Sequence, residues 1–133
     1  MSKVLAVITD IKSVDNLNIV KFDFFGTVLT MMSLELNSNV KIGSKVILTT
    51  KSTSIAIGKE LNPNISYSNQ IKTKIVSINK GKLLSSVELS IANCIFEAII
   101  TLESSNRLDL KIEDEVVAFI KASDLLILEV LDD

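Results

Sequence analysis

The sequence contains no histidine and no tryptophan, and it has a single cysteine and a single proline. Without histidine the chain has no imidazole base for a hydrolase triad, and one cysteine provides neither an internal disulfide nor a thiolate cluster for zinc. Its four glycines form no glycine-rich loop of the kind that binds phosphates. These absences remove most catalytic machinery, so the sequence predicts a protein that is not an enzyme.

Strong charge and long apolar runs are also missing. The net charge is −2, the calculated pI is about 5.2, and the lysines are scattered. A nucleic-acid-binding protein needs a basic surface to displace counterions from phosphates, so nucleic acid is not expected as a partner. No apolar run approaches the roughly 20 residues of a membrane span, and Asp10 comes too early for a signal peptide. We therefore expect a cytoplasmic protein without a membrane partner.

An internal repeat is the main positive feature of the chain. Residues 111–123 read KIEDEVVAFIKAS, and residues 41–53 read KIGSKVILTTKST. Repeats of this kind indicate one structural module present twice. The only proline lies among turn-forming residues between the copies. The sequence therefore predicts a first domain at residues 1–61, a linker at 62–70 and a second domain at 71–133.

Alternation of apolar and polar residues predicts strands throughout both halves. The predicted strands cover residues 3–8, 17–24, 25–32, 45–50 and 54–57, then 71–78, 86–89, 95–100, 115–120 and 125–128. Residues 33–39 have room for one helical turn, and residues 103–107 are predicted to form a polar turn. Five short strands per half are typical of a small closed barrel. The predicted fold class is all-β, with two tandem five-stranded barrels of the oligonucleotide/oligosaccharide-binding (OB) type.

Hydrogen-bond donors are concentrated where predicted strands end. A lysine followed by hydroxyl residues ends the strand in each copy. Further hydroxyl and amide residues lie just after the third strand of the second half and in the linker. The residues concerned are Lys51, Ser52, Thr53, Lys121, Ser123, Thr101, Ser104, Ser66 and Asn69. Such donors suit a tetrahedral oxyanion taken out of water, because each of its oxygens needs hydrogen bonds. The alternative, that these residues only terminate strands, is left open by spacing alone.

Three separated segments of the second half resemble the Mop domain, also called the TOBE domain. They are Asn69–Lys72 leading into residues 76–81, residues 98–104, and residues 108–123 with the lysine-alanine-serine end. The first half resembles the same family less closely, through Phe25-Gly26, residues 41–43 and residues 51–53. Together the halves are similar to a tandem, or di-Mop, molbindin.

The resemblance implies a protein that binds molybdate or tungstate at sites between modules or subunits. It implies a homo-oligomer, a trimer or a hexamer, and a metal held only as its oxyanion. The positions carried over from the family pattern are Ser66, Asn69, Thr101, Ser104, Lys121, Ala122 and Ser123, with Lys51, Ser52, Thr53 and Ser33 in the first half. The chain departs from the family at Ser68, where many members have arginine, and at Glu113, where a turn glycine is usual.

The predicted function is that of an oxyanion-binding protein that sequesters, buffers or senses its ligand. Two alternative functions are also considered. The first is a regulatory or assembly module with a degenerate anion site, which binds a transport ATPase or a transcription regulator. The second is a nucleic-acid-binding barrel, which would need basic and aromatic residues on one sheet face. The six aromatic residues occupy mainly apolar strand positions.

Overall fold

A computed structural model describes residues 2–60 and 64–131 of the chain. The strands are β1 (Ser2–Val14), β2 (Leu17–Phe24), β3 (Thr27–Ser33), β4 (Lys45–Thr50), β5 (Ala56–Lys59), β6 (Asn69–Lys80), β7 (Leu84–Ile91), β8 (Cys94–Thr101), β9 (Glu115–Ile120) and β10 (Leu126–Leu131). One α-helix, α1, spans Leu102–Arg107, and short 3₁₀ turns span Ser52–Ser54 and Ala122–Asp124. No helix in these two described ranges has the length and apolar character needed to cross a membrane.

The strands form two five-stranded antiparallel sheets, which confirms the all-β prediction. The first sheet has the order β10-β4-β1-β2-β3, and the second has the order β5-β9-β6-β7-β8. The long strands β1 and β6 lie at the centre of their sheets. Alternate residues along each of them point into the core, as Val4, Ala6 and Ile8 do in β1. Each long strand also carries a bulge, at Ile8/Asp10 in β1 and at Ile75/Ser77 in β6.

The outer strand of each sheet comes from the other half of the chain. Strand β5 pairs with β9, with Ala56 opposite Phe119, and β10 pairs with β4, with Leu126 opposite Thr49. The buried apolar residues of both halves accordingly form one continuous cluster. This exchange ties the halves together through backbone hydrogen bonds. The predicted linker at 62–70 falls partly on residues 61–63, which lie outside the described residues.

The helical segment lies elsewhere than the sequence predicts. Residues 34–44 form bends and turns without a helix, and the predicted polar turn at 103–107 is instead helix α1. The Thr101 hydroxyl oxygen accepts a hydrogen bond from the Ser104 backbone N–H at 3.1 Å, so it caps the helix start. Both predictions were wrong, the second because the capping contact starts a helix after β8.

One turn has the same backbone in both halves but a different residue. Gly43 has φ +92° and its N–H donates to the Ile8 carbonyl at 2.8 Å. Glu113 has φ +79° and donates in the same way to Ile75, also at 2.8 Å. Positive φ is unfavourable for a residue with a Cβ, so the second half is strained where the first half has glycine.

An ion pair anchors the exchanged strand β5 to the second sheet. The Lys59 ammonium lies 3.0 Å from the Asp114 carboxylate and also donates to the Asp109 carbonyl at 2.7 Å. The hydrogen bond from Lys59, together with one from the Lys111 backbone N–H, lowers the pKa of Asp114. The carboxylate therefore keeps its charge, and its hold on the end of β5, to a lower pH than an unpaired aspartate would.

Candidate functional site

Four of the predicted site residues line one cavity of about 480 Å³. This cavity, the Lys121 junction, lies where the 3₁₀ turn at Ala122–Asp124 and the segment before β6 meet the outer face of the β2–β3 hairpin. Its lining residues are Ile19, Lys21, Thr30, Met32, Ser66, Tyr67, Ser68, Lys121, Ala122 and Ser123. The structure thus brings Ser66, Lys121, Ala122 and Ser123 together from two separate segments.

The β2–β3 hairpin supplies a second lysine to the Lys121 junction. Lys21 and Thr30 are directly opposite each other in the strand pair, and the Lys21 ammonium donates to the Thr30 hydroxyl at 2.9 Å. Val20 and Phe22, on either side of Lys21, are completely buried, so the strand alternation places the lysine on the opposite face. Lys21 is thereby held at the cavity wall.

The electrostatics of the Lys121 junction favour an anion. Lys21 and Lys121 both line it, and among the described residues no aspartate or glutamate does. Hydroxyl groups of Thr30, Ser66 and Ser123 also line the cavity and offer neutral donors. Ammonium groups give charge-assisted hydrogen bonds, which are shorter and stronger than neutral ones. The arrangement is chemically suited to a small dianion with several oxygens.

Asn69 is adjacent to this site but its side chain has a partner within the protein. Its carbonyl oxygen accepts from the Thr30 backbone N–H at 2.7 Å, and its amide donates to the Thr30 carbonyl at 2.9 Å. The residue is fully buried. Asn69 therefore fixes β3 against the start of β6, which sets the position of Thr30 at the cavity wall.

The corresponding residues of the first half meet a carboxylate. The Ser52 hydroxyl, which is buried, donates to Glu97 Oε1 at 3.1 Å, and the Ser86 hydroxyl donates to Glu97 Oε2 at 2.9 Å. Lys51 and Thr53, on either side of Ser52, are exposed. We call this region, formed by residues 51–53, Ser86 and Glu97, the Lys51 junction.

The remaining predicted residues lie outside both junctions. Thr101 and Ser104 share a hydrogen bond of 2.9 Å between their hydroxyls at the start of α1, and Arg107 donates to Ser104 at 3.4 Å. Ser33 lines a separate cavity of about 310 Å³, where its hydroxyl donates to the Glu35 carbonyl at 2.6 Å. These three residues are thus placed in local turn and cap contacts.

Lys21 and Thr30 were missed by reasoning from the sequence. Lys21 alternates with buried residues in β2, a pattern that indicates only that it lies on the outer face. What covers that face is a segment more than forty residues further along the chain, beginning at Ser66. No local signal connects the two segments, because the contact arises from packing of one half on the other.

Another cavity, of about 670 Å³, is less suited to an anion. Two glutamates and two lysines line it, so its formal charges cancel: Glu60, Glu115, Lys72 and Lys74. Within residues 2–60 and 64–131 no group of three or more His, Cys, Asp and Glu side chains is placed to hold a metal ion. The Lys121 junction therefore stands as the candidate site.

Comparison with known proteins agrees with this architecture. Residues 65–127 match the family model of the TOBE domain. A crystal structure of the cytoplasmic molybdate-binding protein ModG, determined with molybdate bound, superposes with a TM-score of 0.87. The two sequences are 19% identical, and the match covers 93% of this chain and 92% of that one. None of the curated proteins matches this sequence.

Proposed function

We propose that this chain, whose residues 65–127 match the TOBE domain, is a cytoplasmic protein that binds molybdate or tungstate without transforming it. The observation that carries the proposal is the Lys121 junction, where two lysines and several hydroxyls surround a cavity that no carboxylate of the described residues lines. The overall similarity to ModG, which binds molybdate, supports the same ligand class.

The ligand would be held by charge and by hydrogen bonds together. Lys121 and Lys21 would each donate to an oxygen of the dianion, while Ser66, Ser123 and Thr30 would complete its coordination. Lys21 would supply a positive charge at a site where this chain has Ser68 in place of the arginine usual in the family. Lys21, from the other half of the chain, would then compensate for the missing arginine.

Selectivity would follow from size. Sulfate is smaller than molybdate, so a cage fitted to molybdate leaves some donors unpaired around sulfate, at about 1–3 kcal/mol for each. Molybdate and tungstate are nearly the same size, and the site should distinguish them poorly. The protein would act by capture and release of the anion, in sequestration, buffering or sensing.

The finer architecture belongs to this proposal as well. We propose that the chain divides into domains at residues 1–61 and 71–133 with 62–70 between them. Each sheet would close into a small barrel that includes the strand exchanged from the other half, and the chain would assemble into a homo-oligomer. Thr101, Ser104 and Ser33 lie outside the Lys121 junction, so they would contact an anion only at a different site, including one between copies of the chain.

Isothermal titration of the full chain with sodium molybdate and with sodium tungstate tests the proposal. Lys121→Ala and Lys21→Ala should each weaken binding by about 10- to 100-fold, because each removes a charge-assisted hydrogen bond of roughly 1.5–3 kcal/mol. Lys82→Ala removes an exposed lysine outside the junction and should leave the affinity unchanged.

Three outcomes would count against the proposal in different ways. Wild-type affinity in both junction variants would exclude the Lys121 junction as the site. A wild-type protein that binds neither anion, and that contains no molybdenum or tungsten after purification, would favour the regulatory or assembly module instead. Equal losses in the Lys82 variant would indicate a general charge effect.

A further inference from the structure

The two junctions occupy equivalent places in the two halves. In the first sheet Val7 is opposite Asp23 in β2 and opposite Lys45 in β4. In the second sheet Lys74 is opposite Ser90 in β7 and opposite Glu115 in β9. In both long strands the bulge begins at the residue after this position, at Ile8 in β1 and at Ile75 in β6. The strand registers therefore assign each position in the first sheet a counterpart in the second.

Contacts between the halves follow the same equivalence. The 3₁₀ turn at Ser52–Ser54 packs on β8, and the turn at Ala122–Asp124 packs on β3. Asn69 binds the Thr30 backbone, and its counterpart Ser2 accepts from the Glu97 backbone N–H at 2.9 Å. Ser2 and Asn69 are the first residues of β1 and β6, and they have equivalent partners in β4 and β9. The residues that they contact, Glu97 and Thr30, are therefore equivalent positions.

The charges at these positions are reversed between the halves. After the bulge Lys21 is opposite Asp10, and in the second half Glu88 is opposite Ser77. Lys21 is opposite Thr30 in the first sheet, whereas Glu88 is opposite Glu97 in the second. The strand face that presents Lys21 and Thr30 in the first sheet thus presents Glu88 and Glu97 in the second, and Glu97 contacts the Lys51 junction.

The Glu97 carboxylate also uses the donors of the Lys51 junction. One of its oxygens accepts from Ser52 at 3.1 Å and the other accepts from Ser86 at 2.9 Å. A hydroxyl has only one hydrogen to donate, so neither serine retains a donor for a second anion while these bonds exist. An anion entering here would also approach a carboxylate that repels it.

We propose that the Glu97 carboxylate takes the place of an oxyanion at the Lys51 junction, so that of the two junctions only the Lys121 junction binds the ligand. The inference rests on the proposed function, because it assumes that the Lys121 junction binds molybdate or tungstate. A tandem chain with two equivalent junctions would then have one site for the anion and one site that is permanently filled by its own side chain.

Replacing Glu97 by the residue at the equivalent position, Glu97→Thr, tests this inference. The substitution removes the carboxylate and returns Ser52 and Ser86 as donors, so the molybdate bound per chain should double. Equilibrium dialysis of the full chain against sodium molybdate, with elemental analysis of molybdenum, measures it. Glu129→Thr removes an equal charge from an exposed strand position and should leave the ratio unchanged.

The reciprocal variant, Thr30→Glu, keeps the test independent of how well Glu97→Thr folds. It copies the Glu97 arrangement into the Lys121 junction and should abolish the molybdate binding of the wild type. Circular dichroism confirms that each variant is folded. Wild-type binding in Thr30→Glu would overturn the inference.

The outcomes separate this inference from the proposed function. If the wild type binds molybdate and Glu97→Thr binds no more of it, the inference is overturned and the proposed function stands. If the wild type already binds at both junctions, the inference is overturned as well. If neither protein binds molybdate or tungstate, both proposals are overturned together.

Discussion

The two halves of this chain share their geometry and differ in their chemistry. Both have the same strand registers, the same bulge, the same exchanged outer strand and the same contact from the first residue of the sheet to the opposing half. At the junctions, however, Lys21 and Thr30 in one half correspond to Glu88 and Glu97 in the other. Backbone pairing and the apolar core thus fix where a site can form, and outward-facing residues decide whether it binds an anion.

The largest expected effect comes from separating the halves. In a fragment of residues 64–133, β9 lacks its partner β5 and β10 lacks its partner β4. Because the two exchanged pairings are equivalent in register, we expect β10 of one fragment to pair with β9 of another, giving a dimer. Sedimentation analysis and circular dichroism over a range of concentrations would measure this.

A longer fragment provides the matched control. Residues 54–133 retain β5, so β9 stays paired within the chain, and this fragment should be more stable as a monomer than residues 64–133. A folded, concentration-independent monomer of residues 64–133 would show that the exchange is dispensable for the second half.

The next largest effect is a difference in stability between variants of Asn69 and Ser2, which make equivalent contacts in the two halves. Asn69→Ala leaves the buried N–H and carbonyl of Thr30 without partners, which should cost roughly 2–4 kcal/mol in the free energy of unfolding. Ser2→Ala removes one partly buried bond to the Glu97 N–H and should cost about 1 kcal/mol. Urea denaturation of both variants measures the difference. Equal losses would mean that the two contacts are energetically alike.

The smallest effect concerns the turn that has Gly43 in one half and Glu113 in the other. Glu113→Gly should stabilise the protein by about 0.5–1 kcal/mol, because relief of the left-handed conformation exceeds the entropy lost by glycine. Gly43→Ala should destabilise by about 1 kcal/mol through the backbone alone, since no atom lies within 4 Å of the added Cβ. Denaturation midpoints that move in the same direction for both variants would contradict this account.

Much of the fold was predictable because the repeat and the strand alternation are local patterns. The strand predictions at 17–24, 45–50 and 115–120 agree with the structure to the residue. Strand 25–32 starts later, at Thr27, because Phe25 and Gly26 both have positive φ and form the hairpin turn. The TOBE resemblance of the second half is confirmed by the family match over residues 65–127.

The candidate site was predictable only on one side. The lysine-alanine-serine end at residues 121–123 and Ser66 followed from strand-end donors and the resemblance, and the structure places them in one cavity. Lys21 and Thr30 complete the opposite wall, and their role depends on a contact between distant segments. The meeting of Ser52 with Glu97 was unpredictable for the same reason.

By itself the sequence determined the number of strands, the internal repeat, the all-β class and the scarcity of catalytic groups, since each of these depends on residue type and short-range periodicity. Only the tertiary structure decided that β5 and β10 exchange between sheets and that one junction has two lysines while the other has a carboxylate. Strand partners and facing side chains are selected by packing across the whole chain, where many pairings satisfy the same local pattern but one buries the shared core.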